Sequence, residues 1–218
     1  MTAALLTLAD SRLPAGGHTH SGGVEQAIAA GVVTDPGSLA TFLRRRLATS
    51  GAVAAGLAAA SCAAAGNADC LSVLDEEADA RTPSPALRVA SRQQGRGLVR
   101  VGRRAWPSPA WDALPALPHH PIALGVTAAA GGLAPRDAAQ VAVYLAVSGP
   151  ATAAQRLLAM DPITVAALTA RLAPDIDAVA AAAVATSSPS DSLPAVTDPL
   201  LDLLAEVHAA RKDRFFAS

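Results

Sequence analysis

Leu47-Ala-Thr-Ser-Gly-Ala-Val-Ala-Ala-Gly-Leu-Ala-Ala-Ala-Ser-Cys-Ala-Ala-Ala-Gly-Asn-Ala68 contains no charged residue and follows directly on Arg44, Arg45 and Arg46. Its length suits a bilayer span, and so do the arginines before it. Its composition does not. Alanine, glycine and serine gain little on transfer to hydrocarbon, whereas insertion depends on Leu, Ile, Phe and Val. Small side chains do let helix axes approach closely, so the stretch reads as a buried helix of a tightly packed bundle.

The rest of the chain extends that reading. Roughly a quarter of the residues are alanine, the best helix former, and strand-type runs of Val, Ile, Thr and aromatics are nearly absent. Asp35-Pro36, Thr82-Pro83, Asp161-Pro162 and Asp198-Pro199 each place an N-cap side chain before a proline at the first helical position. Caps and apolar spacing predict helices near 22–31, 36–49, 51–65, 68–80, 83–105, 120–131, 135–149, 150–159, 162–172, 174–187 and 199–212. The expected fold class is all-α: a single compact alanine-rich helical bundle domain of about ten helices over residues 1–218. Five prolines between Trp106 and Pro121 predict a linker crossing the surface between helical halves, roughly 1–105 and 120–187. A second break at Thr186 to Pro194 is expected to set off a C-terminal helix and tail, 198–218.

The 218 residues are 51% hydrophobic, 16% charged and 3% aromatic, which fits one domain able to fold without metal or disulfides. Two cysteines, Cys62 and Cys70, make no disulfide framework. With 17 basic and 18 acidic residues the formal net charge is −1, so any polyanion binding needs a local patch. Met1 to Asp10 lacks the positive lead and long apolar stretch of a signal peptide, and the expectation is a cytoplasmic protein without membrane association.

Three segments could carry function. In Leu8 to Glu25, four glycines and two histidines precede a helix; no Lys-Ser/Thr follows and no strand precedes, which removes a phosphate loop. His18 and His20 are weak candidates for nickel or zinc ligands, with His119, His120 and Glu25 as distant additions. The alternative is a packing loop in which Ser21 caps the helix and Glu25 supports its first turn. The second segment carries arginines at 88, 92, 96, 100 and 104, a spacing of four that makes one helical stripe. It could face a nucleic acid, a nucleotide or an acidic protein, or pair in part with Asp75, Glu76, Glu77 and Asp79. Gly95 and Gly97 inside that helix cost about 1 kcal/mol each against alanine and predict a close helix crossing. The third is the tail. Phe215 and Phe216, beside Arg211 and Arg214, have the composition of an interface anchor, with docking onto the chain itself as the alternative.

Enzyme signatures are lacking: there is no Gly-x-Ser-x-Gly, Cys-x-x-Cys or His-Glu-x-x-His, and His208 reads as a surface residue. The composition favours a binding protein without catalytic residues. A helical nucleic-acid-binding regulator using the Arg88 to Arg104 stripe is the alternative, and it would lose affinity steeply with salt.

The chain resembles the urease accessory protein F family. The likeness rests on Leu5 to Glu25, Ser91-Arg-Gln-Gln-Gly-Arg96, Ala153-Ala-Gln-Arg-Leu157, Asp198-Pro-Leu-Leu and Arg214-Phe-Phe-Ala-Ser218, in order along the chain. The resemblance implies an all-α homodimer that joins accessory proteins D (also called H) and G, a GTPase, on the urease apoprotein. The assembly uses GTP to deliver nickel, and the F member binds no cofactor of its own. It implies partner-binding roles for Ser21, Glu25, Arg92, Gly95, Arg96, Arg156, Arg214, Phe215 and Phe216, and a tail that orders when partners bind. The chain departs from the family pattern at His18 and Gly22, where phenylalanine is common. It departs again at Ser148-Gly149-Pro150, in place of Glu-Asn-Gln, and at Asp161-Pro162, in place of Gly-Gln.

Overall fold

A computed structural model describes residues 3–184 and 193–218. In chain order the helices are α1 Ala3–Ala9, α2 Val24–Ala29, α3 Pro36–Arg46, α4 Ala52–Ala63, α5 Ala68–Ala80, α6 Pro85–Ala105, α7 His120–Ala130, α8 Pro135–Leu157, α9 Pro162–Arg171, α10 Ala173–Val184 and α11 Pro199–Ala210. There is no strand among the described residues, and the all-α expectation holds. No described helix is long and apolar enough to cross a membrane.

The uncharged stretch is the bundle's central helix. Ala55, Gly56, Leu57, Ala58, Ala59, Ser61 and Cys62 of α4 are buried, with α7, α8 and α10 packed around them. The approach is backbone to backbone: a Cβ on Gly125 of α7 would lie 2.4 Å from the Ala58 carbonyl oxygen and 2.7 Å from the Cys62 nitrogen. Alanine and glycine at this crossing therefore set the interhelical distance. Helices α3 and α4 share one path through a π-helical turn, Leu47–Gly51, where two separate helices were expected.

Asp35, Asp161 and Asp198 cap α3, α9 and α11 by accepting from backbone amides, each worth about 1 kcal/mol. The Thr82-Pro83 start is displaced. Ser84 is the cap, its hydroxyl accepting from the Leu87 amide, and Pro85 opens α6. Glu206 of α11 accepts from the Ser84 hydroxyl and, at 2.9 Å, from the Ala86 amide, which ties the last helix to the start of α6.

Two expectations about proline are corrected. The predicted break before Pro150 is absent, and α8 runs 23 residues through it. Gly149 brings no Cβ against the proline ring, and the Ala146 carbonyl, which loses its helical donor, accepts from Arg46 Nε at 3.3 Å. The proline-rich segment is no simple surface crossing. A 3-10 turn at Pro109–Ala113 inserts Trp111, 2% exposed, whose ring lies where a Cβ on Gly102 would stand, 2.4 Å away. The largest core cluster draws on helices from both sides of this segment. The predicted break at 186–194 falls mostly outside the described residues.

Candidate partner-binding surface

The N-terminal block and the tail form one knot. Gly22 and Gly23, at φ 61° and 85°, take left-handed conformations that turn the chain into α2. Gly23, not Ser21, holds the N-cap position of α2, and the Ser21 hydroxyl donates to the carbonyl of Ser218 at 2.9 Å and accepts from the Glu25 amide at 3.5 Å. Glu25, 4% exposed, does not serve as a first-turn surface charge. It accepts from His208 Nε2 at 2.9 Å, from the Phe215 amide at 2.7 Å and from the Phe216 amide at 3.0 Å. Burial works against this carboxylate, but those three donors outweigh it and hold its pKa below the usual value. The Ala217 amide donates to the Thr19 carbonyl, and Arg211 donates to Gln26 Oε1. The tail is thus docked on its own chain. Phe216 is 8% exposed beneath the Arg156 guanidinium, 5.7 Å from its ring centre, while Phe215 is 85% exposed.

A second network fixes α5, α6 and the entry to α7. Arg92 pairs with Asp75 at 2.8 Å and Asp79 at 2.6 Å, so part of the arginine stripe is intramolecular. His119, 1% exposed, donates its backbone amide to Asp75 and its Nε2 proton to Asp79 at 2.8 Å. Its Nδ1 meets the Ser91 hydroxyl at 3.0 Å, which also receives the His120 amide. Burial disfavours the Asp79 carboxylate, yet the bonds from His119 and Arg92 leave its pKa lowered. Gly95 answers to this segment: a Cβ there would be 2.1 Å from the Pro118 carbonyl oxygen. The crossing predicted at Gly95 and Gly97 is made at Gly95 by the backbone entering α7, Pro118–His120, and at Gly97 by the loop backbone at Ala15.

Other predicted residues stay outward. Arg96, Arg100 and Arg104 are exposed and make no ion pair among the described residues. Arg214 is exposed and donates to the Ala209 carbonyl. His18 is exposed, His20 Nδ1 lies 2.7 Å from the Ser218 hydroxyl, and the described residues bring no three ligands together around a metal.

The UreF family profile matches residues 33–173. A urease accessory protein UreF of Mycolicibacterium vanbaalenii is 53% identical over 221 residues, covering 99% of this chain and 98% of that protein. The chain belongs to the UreF family. A UreF of Mycobacterium sp. strain JLS is 53% identical, covering 98% of this chain and 97% of its own, and that of Mycobacterium tuberculosis strain H37Rv is 48% identical, covering 99% and 98%.

Gly22 and Pro150, from two separate segments singled out in the sequence, meet in space. A Cβ on Gly22 would stand 2.7 Å from Pro150 Cγ, so the small residue and the helix-internal proline accommodate one another. Sequence reasoning missed His208, placed on the surface and found 2% exposed. A signal existed: Leu201, Leu204, Ala205 and His208 repeat at i, i+3, i+4 and i+7, the buried stripe of α11. Asp79 was expected to pair with the arginine stripe and does so through Arg92, but the bond from His119 to Asp79 and the roles of Arg46 and Ser218 were missed, since those partners lie too far away in sequence for spacing to reveal.

Proposed function

We propose that this chain is a urease accessory protein acting as a non-catalytic adaptor. In this reading it works as a homodimer with accessory protein D (H) and the GTPase G, in the cytoplasm, to promote GTP-dependent nickel insertion into the urease apoprotein. Family membership over nearly the whole chain supports the urease role. The observation that carries the adaptor reading is the state of the tail. Phe216 and the Ser218 carbonyl are spent on intramolecular contacts, while Phe215 is held out by them, 85% exposed, and Arg96, Arg100 and Arg104 make no ion pair among the described residues. A presented aromatic next in sequence to the exposed Arg214 is the usual make-up of an interface anchor.

Affinity capture of the tagged chain from urease-expressing cells, with and without GTP and nickel, tests the reading. Recovery of D, G and urease subunits is the expected result; recovery of nucleic acid alone would overturn it. Phe215→Ala sharpens the test. The side chain buries nothing in the free protein, so the melting temperature is expected to stay unchanged while the complex weakens by about 2 kcal/mol, roughly thirtyfold. Deleting residues 211–218 would not separate these effects, because it also removes Phe216 and the partners of Glu25.

A further inference from the structure

Arg46 is oriented by the peculiarity of α8. Its Nε fills the place left at the Ala146 carbonyl by Pro150, and that single bond fixes the guanidinium group. Its two terminal nitrogens make no hydrogen bond and no ion pair among the described residues; the neighbouring Arg45 holds Asp198 instead. Gly22 closes over the group, its Cβ position 3.4 Å from Arg46 Cζ, so any side chain there would crowd the guanidinium.

Arg46 lines a cavity of about 560 Å³ together with His20, His120, Gly22, Pro150 and Arg156. No aspartate side chain on its wall pairs with Arg46 among the described residues. Asp10 is bound to Arg12 and Asp198 to Arg45, while burial, with Asp198 and Glu206 nearby, raises the pKa of Asp202. Arg156 has the Phe216 ring beside it and no ion pair among the described residues. Burial lowers the pKa of His20 and takes that of His120 down to about 4, so both rings are neutral hydrogen-bonding groups at pH 7. Burial also brings Arg46 down to about 10, which leaves it charged. Arg46 is half-buried, its open donors are free to take an anion, and its planar fork matches two oxygens of one group.

We propose that Arg46, with His20 and His120 lining the same cavity, forms a binding site for a small free oxyanion of the phosphate or carboxylate class. The full chain should be titrated calorimetrically with inorganic phosphate and, separately, with formate, at constant ionic strength in chloride, with melting temperature followed in parallel. Saturable one-to-one binding of at least one probe is expected, with a raised melting temperature. Arg46→Gln is expected to weaken it at least tenfold, Arg46→Lys less, and Arg171→Gln, an exposed residue outside the cavity, not at all. Flat titrations with both probes would overturn the site, including the case where its anion is a carboxylate carried by a bound protein. Binding unchanged in Arg46→Gln would overturn it as well. Should Arg46→Gln not fold, His20→Ala decides in its place, since undiminished affinity there removes the cavity as the location.

Discussion

Glu25→Ala is expected to cost about 3–5 kcal/mol and to free the tail, because it strands the donors that a single buried carboxylate now satisfies. His208 Nε2 and the amides of Phe215 and Phe216 all point at the two oxygens of Glu25, in a site 4% exposed at the carboxylate and 2% at the imidazole. Alanine leaves the imidazole and two peptide groups without acceptors where water enters poorly. Urea unfolding would measure the loss, and hydrogen exchange at residues 215–217 would show the tail's release. Exchange as slow as in the parent would mean that Ser21 and Thr19 alone hold it. The pH dependence has a definite sign. The folded pKa of Glu25 lies below its ordinary 4.5, so its contribution is fully present above that value and is lost as pH falls through the lower folded value. The parent should therefore lose more stability than Glu25→Ala on acidification below about pH 4.5.

The same residue shows where sequence reading stops. Glu25 follows a glycine-rich turn at the start of a helix, and local rules assign it to the macrodipole. Its true partners are 183 to 191 positions away, and no periodicity connects them. What depends on neighbours was legible: the charge-free alanine run as a central helix, the aspartate caps, and Gly95 as a point of close approach. Pro150 misled for an instructive reason. The rule that proline ends a helix assumes an orphaned carbonyl and a clash with the preceding Cβ, and here Arg46 supplies the donor while Gly149 has no Cβ. Phe215 and Phe216 are adjacent and chemically identical, yet one is buried and the other exposed. That division is made by Glu25, which grips both of their amides and so fixes which ring turns inward.

Gly95→Ala sets two effects of opposite sign against each other. In an open helix the change would stabilise by about 1 kcal/mol through helix propensity. Here the new methyl would sit 2.1 Å from the Pro118 carbonyl oxygen and 3.0 Å from the His119 carbonyl carbon, both backbone atoms. The segment cannot easily retreat. His119 is held through its amide by Asp75 and through its ring by Asp79 and Ser91, and the Leu117 carbonyl accepts from Arg92. Overpacking against so constrained a backbone exceeds the propensity gain, and a net loss of about 3 kcal/mol is expected, a fall in melting temperature of roughly 6–12 °C for a chain of this size. Gly97→Ala provides the contrast. Its methyl would meet the Ala15 carbonyl oxygen at 2.2 Å, but Ala15 lies in the glycine-rich N-terminal loop, where a shift breaks fewer contacts, so a smaller loss is expected. Equal losses at the two positions would show that the Asp75–Asp79–His119 network does not stiffen the α7 entry. A Gly95→Ala protein as stable as the parent would remove the close approach itself, and with it the argument that this segment fixes the face of α6 from which Arg96 and Arg100 project.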